Sequence, residues 1–348
     1  MRRNNTLAPL GAQFDRRHQQ DSHDTGSTSR RQQKSPGQAS NLLRQNRMRK
    51  MPIIRRQESF FGLSRSSTTR DLVVVGVPWD ATSSYRRGAS AGPDATRWAT
   101  SSRLYNHFTE QGMDLSTTWH VCDHGNVRKS TVSNLRENIA QVADLHNHRN
   151  PSILFIGGDH FVTYPCFDFV RERSGNPLSL LYFDAHPDLY ERYEGNRDSH
   201  ATVVSRILET RGRGSGKVCY VGIRASTREQ DERISALGLT AHTARDVYEQ
   251  GCEAVSSSIR SVLKDVPVYL SFDLDCLDPA HAPGVPNPQP GGLTTRQVFQ
   301  ILHRIAGLRI VAADVVEYAP EFDSGARTTA FTSAALIKEI MGVMAQSR

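Results

Sequence analysis

Acidic and histidine residues alternate at the end of a strongly apolar run in the middle of the chain. Asp184, His186 and Asp188 follow residues 178–183 at every second position. In an extended segment, side chains two residues apart point to the same side, so the three can face one metal ion or one reacting group together. A single Asp or His after a strand is usually a cap or a turn residue, and strict alternation of three is harder to explain in that way.

Two other segments place similar side chains after apolar runs. Asp273 and Asp275 stand two residues apart after residues 268–272. His160 follows the glycine pair 157–158, which lets the backbone turn tightly and carry the imidazole towards the same place. The segment that contains His160 is weak evidence alone, and it becomes informative beside the segments 184–188 and 273–275.

Together these segments contribute two imidazoles and four carboxylates. So many ionisable groups cannot be left unpaired in a cleft. Two divalent cations would balance four carboxylates, whereas a single zinc site would need fewer ligands. Mixed nitrogen and oxygen ligands without a thiolate favour Mn²⁺, with Ni²⁺ and Co²⁺ as alternatives.

These side chains come from distant segments of the chain, so the fold must bring those segments to one edge of a sheet. From Asp71 onward, short apolar runs alternate with longer segments of helical periodicity, which predicts a single three-layer α/β domain with a mainly parallel sheet between helices. Ligands bind to such sheets beyond the carboxyl ends of the strands. The predicted strands are 72–77, 153–156, 178–183, 218–221, 268–272 and 310–316, and the predicted helices include 132–148, 162–173, 294–305 and 329–344.

Several motifs resemble those of the ureohydrolase family, which includes arginases, agmatinases and guanidinobutyrases. They are Gly-Gly-Asp-His at 157–160, Asp-Ala-His-Pro-Asp at 184–188, Ser-Phe-Asp-Leu-Asp-Cys-Leu-Asp-Pro at 271–279, Ala-Pro-Gly at 282–284 and Gly-Gly-Leu at 291–293. The similarity extends from about Asp71 to the C-terminus and implies an arginase-like fold. The positions that match the family's metal ligands are all filled, by His160, Asp184, His186, Asp188, Asp273 and Asp275.

The resemblance also implies a reaction. Metal-bound hydroxide attacks the carbon of a guanidino group, and an amine and urea are released. Glu317 matches the carboxylate that family members direct at the guanidinium, and His200 matches the histidine that carries a proton, with Asp188 as a second proton relay. Without the resemblance, Glu317 and His200 would be read as a surface charge and an ordinary polar residue.

The loops that should meet the substrate's tail differ from those of animal arginases. They resemble plant-type arginases, agmatinases and guanidine hydrolases more closely, and acidic residues suited to an α-amino group are not obvious. We therefore favour agmatine as the substrate and keep arginine, 4-guanidinobutyrate and free guanidine as alternatives. Asn196, Asn287 and Arg86 are the expected contacts to the tail, although Arg86 fits an exposed rim better than a carboxylate site.

The first 70 residues have a different composition from the rest. They hold 15 Lys and Arg against 4 Asp and Glu, a charge of +11, while the remainder carries −4. This Arg- and Ser-rich segment, which lacks a sustained apolar period, is predicted to be a disordered tail. It resembles a mitochondrial or other organelle-targeting segment, and the equally weighted alternative is a solvated extension on a cytoplasmic protein.

Composition excludes other classes. The mildly acidic body and the lack of Lys-rich runs argue against a nucleic-acid partner, and no apolar run is long enough for a transmembrane helix. Five scattered cysteines make a disulfide framework unexpected. A homo-oligomer, trimeric or hexameric, is implied by the resemblance. The non-enzyme alternative is a catalytically silent family subunit, whose mark would be missing ligands, and none is missing.

Overall fold

The computed structural model describes residues 59–64, 71–143, 151–174, 177–210 and 216–346. In these residues, eight strands form one sheet with the order β2-β1-β3-β8-β7-β4-β5-β6, and every neighbouring pair is parallel. The strands are β1 Leu72–Val77, β2 Val121–Asn126, β3 Ser152–Gly157, β4 Ser179–Phe183, β5 Val218–Ile223, β6 Thr240–Thr243, β7 Val268–Asp273 and β8 Ile310–Val316. The predicted mainly parallel sheet is confirmed.

Helices in the described residues cover both faces of this sheet. They are α1 Gly92–Ala99, α2 Leu115–Thr118, α3 Val132–Ala143, α4 Thr163–Ser174, α5 Val203–Thr210, α6 Arg228–Ala236, α7 Ala244–Leu263, α8 Thr295–Arg304 and α9 Thr328–Ala345. The predicted helices correspond to α3, α4, α8 and α9. The predicted end of the first of these, after Ala143, lies outside the described residues.

The two faces of the sheet bury two separate apolar clusters. Along β1, Leu72 and Val74 pack into one cluster with α1, α7, α8 and α9, while Val73 and Val75 pack into the other with α3, α4 and α5. A strand that is covered on both sides needs apolar residues at consecutive positions, which explains the uninterrupted valine run. Each fully buried valine stabilises the fold by about 1.5–3 kcal/mol.

The two edge strands were not predicted from the sequence. Strand β2 contains Asp123 and His124, β6 contains His242, and both strands are only partly buried. An edge strand has only one neighbouring strand and is buried by fewer apolar side chains. Its sequence therefore lacks the continuous apolar run that identified the central strands.

Six residues of the predicted tail belong to the packed domain. In the turn Ser59–Ser64, Phe60, Phe61 and Leu63 are buried, and the Phe61 amide donates a hydrogen bond to the Thr100 carbonyl at 2.7 Å. The predicted boundary at residue 70 is therefore corrected for this turn. The remainder of the predicted tail lies outside the described residues.

Neither a membrane-spanning helix nor a disulfide framework is expected from the sequence. No helix within the described ranges is both long and apolar enough to cross a membrane. The five cysteines, all of them in described positions, are free thiols.

Candidate binuclear metal centre and active site

The sheet order brings four distant segments to one edge. The strands β3, β8, β7 and β4 are neighbours. His160 follows β3, Glu317 follows β8, Asp273 ends β7 and Asp184 follows β4. Because parallel strands end at the same edge of a sheet, all four side chains reach the crevice beyond their carboxyl ends.

The acidic and histidine residues at this edge form two overlapping groups. His160, Asp184 and Asp188 have potential ligand atoms within 4.8 Å of one another, and so do Asp184, His186 and Asp275. Asp184 belongs to both groups, so its carboxylate could be a ligand of both cations if two were bound.

Asp273 completes the set through its contact with His160. The Nδ1 atom of His160 lies 3.0 Å from Oδ2 of Asp273 and 2.9 Å from Oδ2 of Asp184. In the second group, Nδ1 of His186 lies 3.0 Å from Oδ2 of Asp275. The structure thus brings together all six residues that the sequence singled out as metal ligands.

The surroundings of His160 test whether a cation fits there. Nε2 of His160 lies 2.9 Å from Oγ of Ser271, whose hydroxyl donates to the Asp314 carboxylate at 2.7 Å. Because the Ser271 proton is used in that bond, its oxygen accepts from Nε2–H of His160, and Nδ1 is left to face the carboxylates. A buried oxygen of Asp184, Oδ2, makes no hydrogen bond in the described part of the chain and has Nδ1 of His160 beside it at 2.9 Å. This donor set fits a divalent cation bound by nitrogen and oxygen ligands.

The crowded carboxylates shift one another's protonation. Burial raises the pKa of Asp273 and of Asp188 well above the usual range, and repulsion from neighbouring carboxylates adds to this effect. Burial opposes the charge on His186, but Asp275 and Asp184 outweigh it and raise the pKa of His186 to about 12. Without cations, the cluster therefore retains protons at the positions that would otherwise hold metal ions.

Glu317 lies beside this cluster in an unusual conformation. Its backbone has a φ of 63°, in the left-handed region that non-glycine residues rarely adopt. Its amide donates to the Gly158 carbonyl at 2.8 Å, and its Oε1 accepts from the His160 amide at 2.7 Å. The second oxygen, Oε2, is buried without a hydrogen-bond partner among the described residues.

His200 faces the same pocket with one nitrogen already occupied. Its Nδ1 lies 2.7 Å from the carbonyl oxygen of Thr82, and its Nε2 lies 3.3 Å from Oγ of Ser84. A carbonyl oxygen can only accept, so the ring proton is on Nδ1 and the lone pair of neutral His200 is on Nε2. Burial lowers the pKa of His200, which favours the neutral ring.

A pocket of about 130 Å³ connects these groups. Its charged lining consists of metal-cluster residues, Glu317 and Arg86, and its remaining wall is made of neutral polar and aromatic side chains that include Tyr190, Tyr193, Gln230 and Asn287. The arrangement can hold two cations next to a carboxylate oxygen that has no hydrogen-bond partner among the described residues.

A family model described as "Arginase family" matches residues 70–342. The chain belongs to the arginase family. Members of this family hydrolyse C–N bonds of guanidino compounds and normally bind a binuclear divalent metal centre. The described arginase-family fold and its six clustered ligands agree with that chemistry.

Individual relatives carry different names at similar identity. "Arginase 1, mitochondrial" of Oryza sativa subsp. indica is 35% identical over 77% of this chain and 79% of its own length. "Agmatinase" of Chromobacterium violaceum is 33% identical over 81% and 86%. "Guanidinopropionase" of Pseudomonas aeruginosa is 34% identical over 79% and 86%. These names agree on the reaction and differ in the substrate.

Solved structures give the same assignment. A hypothetical agmatinase from Burkholderia thailandensis superposes with a TM-score of 0.74 at 31% identity and covers 83% of this chain and 91% of its own. Arginase from Medicago truncatula superposes with a TM-score of 0.67 at 32% identity, over 78% and 87%. The fold predicted from the sequence is confirmed.

The three residues expected to meet the substrate's tail lie in different environments. Asn287 lines the pocket, with Nδ2 located 3.2 Å from Nε2 of His186. Arg86 also lines it, but its guanidinium donates to the carbonyls of Pro286 and Val285 at 2.8 and 2.9 Å. Asn196 is outside the lining and bonds within its own exposed turn. Their roles in this arginase-family chain stay predictions.

Sequence reasoning missed the residues that support the predicted ones. Ser271 and Asp314 orient His160, and Thr82 orients His200. Asp314 had a detectable signal, because a carboxylate in the middle of the apolar run 310–316 must be buried and satisfied. Thr82 had none, since it lies 118 residues from its partner.

Proposed function

We propose that this chain hydrolyses a guanidino cation without an α-amino acid head, with agmatine as the first substrate to test, and releases urea. The observation that carries the proposal is the buried Oε2 of Glu317, which has no partner among the described residues and lies next to the metal-ligand cluster. A planar guanidinium supplies a hydrogen-bond donor of suitable geometry and a positive charge that would stabilise the ionised carboxylate.

Two divalent cations, which we propose to be Mn²⁺, would be held by the six clustered residues. His160, Asp184, Asp188 and Asp273 would hold one cation, and Asp184, His186 and Asp275 would hold the other. When bound, such a pair acidifies a water molecule to a nucleophile at neutral pH and neutralises the charge that develops on attack.

The chain's own groups then have distinct tasks. Glu317 holds the guanidinium so that its carbon faces the metal cluster. Nε2 of His200 is directed into the pocket and is the atom we propose to accept a proton released by the attacking water and to pass it to the departing amine. Asp188, which accepts a hydrogen bond from the Tyr182 hydroxyl at 2.8 Å, is the second proposed proton carrier.

A second substrate class is favoured by one feature of the pocket wall. Apart from the metal-ligand residues and Glu317, none of the described lining residues is acidic. A second ammonium group, such as the one on agmatine, would therefore have to be hydrated at the pocket mouth. A guanidino acid or free guanidine has no such group, and it is the alternative that the test must distinguish.

The assay is urea release by the Mn²⁺-loaded protein from agmatine, arginine, 3-guanidinopropionate, 4-guanidinobutyrate and guanidine, repeated with Ni²⁺ and Co²⁺. We expect turnover of at least one compound, with agmatine above arginine. A folded, metal-loaded protein that released no urea from any of them would be the silent subunit and would overturn the proposal. Arginine as the preferred substrate would overturn only the assignment of the tail.

We also propose a homo-oligomer, trimeric or hexameric, located in mitochondria or another organelle. The location is supported by the basic composition of the first 70 residues and by the name of the rice relative. Light scattering of the purified protein and imaging of a C-terminal fluorescent fusion would test the two statements separately.

A further inference from the structure

Asp159 precedes the proposed metal ligand His160, yet its carboxylate is directed elsewhere. The side chain is fully buried. Its Oδ2 accepts hydrogen bonds from the Thr82 amide at 3.0 Å, the Thr82 hydroxyl at 2.8 Å and the Ser83 hydroxyl at 3.2 Å. Its Oδ1 accepts from the Phe161 amide at 3.2 Å. One carboxylate thus holds a loop that is 77 residues away in the sequence.

The backbone on both sides of this contact is equally constrained. The Asp159 amide donates to the Trp79 carbonyl at 2.6 Å. A Cβ atom on Gly158 would lie 1.6 Å from that same carbonyl oxygen, so only glycine permits the approach. The segment from Trp79 to Ser83 therefore rests on the pair Gly158 and Asp159, and its position is set by them.

The held loop contacts His200. The Thr82 carbonyl accepts from Nδ1 of His200 at 2.7 Å, and Ser84 lies 3.3 Å from Nε2. Since Asp159 binds both the amide and the hydroxyl of Thr82, it determines where that carbonyl stands. The carbonyl in turn fixes which nitrogen of His200 carries the ring proton and which one faces the pocket.

We propose that Asp159 is a positioning residue for His200, acting through Thr82. It neither contacts substrate nor binds a cation. It keeps Nε2 of His200 directed at the reacting atoms, and this statement rests on the proposed function, in which His200 transfers a proton. A displacement of about 1 Å at such a group costs roughly 100-fold in rate.

A double-mutant cycle tests this proposal. Asp159→Asn retains the shape but removes the charge and leaves one acceptor oxygen for four donors, so the hold on Thr82 is weakened. With Mn²⁺-loaded enzyme and whichever of agmatine, arginine, 3-guanidinopropionate and guanidine is turned over fastest, we expect kcat to fall by about 100-fold. KM should change by less than about threefold, because Glu317 still binds the guanidinium, and metal content should match the wild type.

The decisive comparison is made in a His200→Ala background. If Asp159 acts through His200, adding Asp159→Asn there has no further effect on kcat, because coupled residues are not additive. A purely structural role would lower kcat by the same factor in both backgrounds and would overturn the inference. A wild type that releases no urea would overturn the proposed function and this inference with it, so the two failures are distinguishable.

Two further variants control for misfolding and for a nonspecific loss of kcat. Thr82→Val removes one donor to Asp159 but leaves the carbonyl, so it should show a smaller kcat loss that also disappears in the His200→Ala background.

Asp80→Asn is the matched control. Its carboxylate holds the same loop region by accepting from the Gly88 amide at 3.0 Å and the Ser90 hydroxyl at 2.9 Å, without contacting Thr82. It should retain wild-type kcat, and an equal loss in this variant would also overturn the inference.

Discussion

The Nε2 atom of His160 lies 2.9 Å from the hydroxyl oxygen of Ser271. The Asp314 carboxylate accepts a hydrogen bond from the Ser271 hydroxyl, and it also accepts hydrogen bonds from Tyr269 and Thr163 at 2.7 and 2.8 Å. A metal-binding histidine commonly donates its other N–H to a carboxylate, which fixes the tautomer. Here a serine stands between the two, so the orientation of His160 depends on a hydroxyl that binds no metal.

We expect Ser271→Ala to weaken Mn²⁺ binding by about 10- to 100-fold, because Nε2–H of His160 loses its acceptor. Competition with a chelator measures the affinity directly and does not depend on turnover. Thr163→Val is the matched control, since it removes another hydroxyl donor to Asp314 and keeps the backbone bond from the Thr163 amide to the His160 carbonyl. Equal losses in both variants would show that the burial of Asp314, and not the serine link, determines metal affinity.

Replacement of Glu317 by Gln should affect every guanidino substrate, because it removes the charge that faces their common group. Loss of this charge-assisted contact in a desolvated pocket should cost about 2–4 kcal/mol of transition-state stabilisation. The measurement is kcat/KM for agmatine, arginine and guanidine, with metal content checked for each preparation. Glu232→Gln, a matched change at an exposed carboxylate paired with Arg228 outside the pocket lining, should leave all three values unchanged. Normal turnover by the Glu317→Gln variant would rule out the assigned guanidinium contact.

Metal binding should become tighter as pH rises. The carboxylates raise the pKa of His186 to about 12 in the metal-free cluster, against the opposing effect of burial, so a cation must displace a proton there and at His160. Calorimetry in buffers of different ionisation enthalpy should detect a net release of protons when the cations bind. His120→Ala, which changes an exposed histidine paired with Asp71, should release the same number. A pH-independent affinity would contradict the expectation.

The turn Ser59–Ser64 should be needed for stability although it is remote from the chemistry. A chain that begins at Asp71 lacks the buried side chains of Phe60, Phe61 and Leu63. Truncating one buried phenylalanine typically costs about 3–5 kcal/mol, so we expect a loss of at least that size in the free energy of unfolding. A chain that begins at Glu58 is the control. Equal denaturation midpoints for the two chains would show that the turn is dispensable.

The central strands and the residues that cluster as candidate metal ligands could be predicted because each is a local pattern. Apolar runs identify buried parallel strands, and alternating polar residues after them identify the ligands, as at Asp184 and His186. The edge strands β2 and β6 could not be found in that way, since partial exposure removes the apolar run.

Contacts between remote segments could not be predicted from a single sequence. The bond from His200 to Thr82 and the one from Ser271 to His160 depend on how loops meet after folding. The left-handed backbone of Glu317 and Asp188 likewise has no local signature, because non-glycine residues adopt it only where tertiary contacts enforce it. Backbone strain of this kind is common at functional sites, where the surrounding contacts hold a residue in a conformation that it rarely adopts alone.

The position of β8 determines when the centre can be assembled. It is the last strand in the chain, yet it lies between β3 and β7 in the middle of the sheet. During synthesis, the inner edges of β3 and β7 stay unpaired until β8 has left the ribosome, and open edges of this kind are prone to wrong pairing. The six candidate ligands all precede β8 in the chain, so they come together only once β8 has filled the gap between β3 and β7.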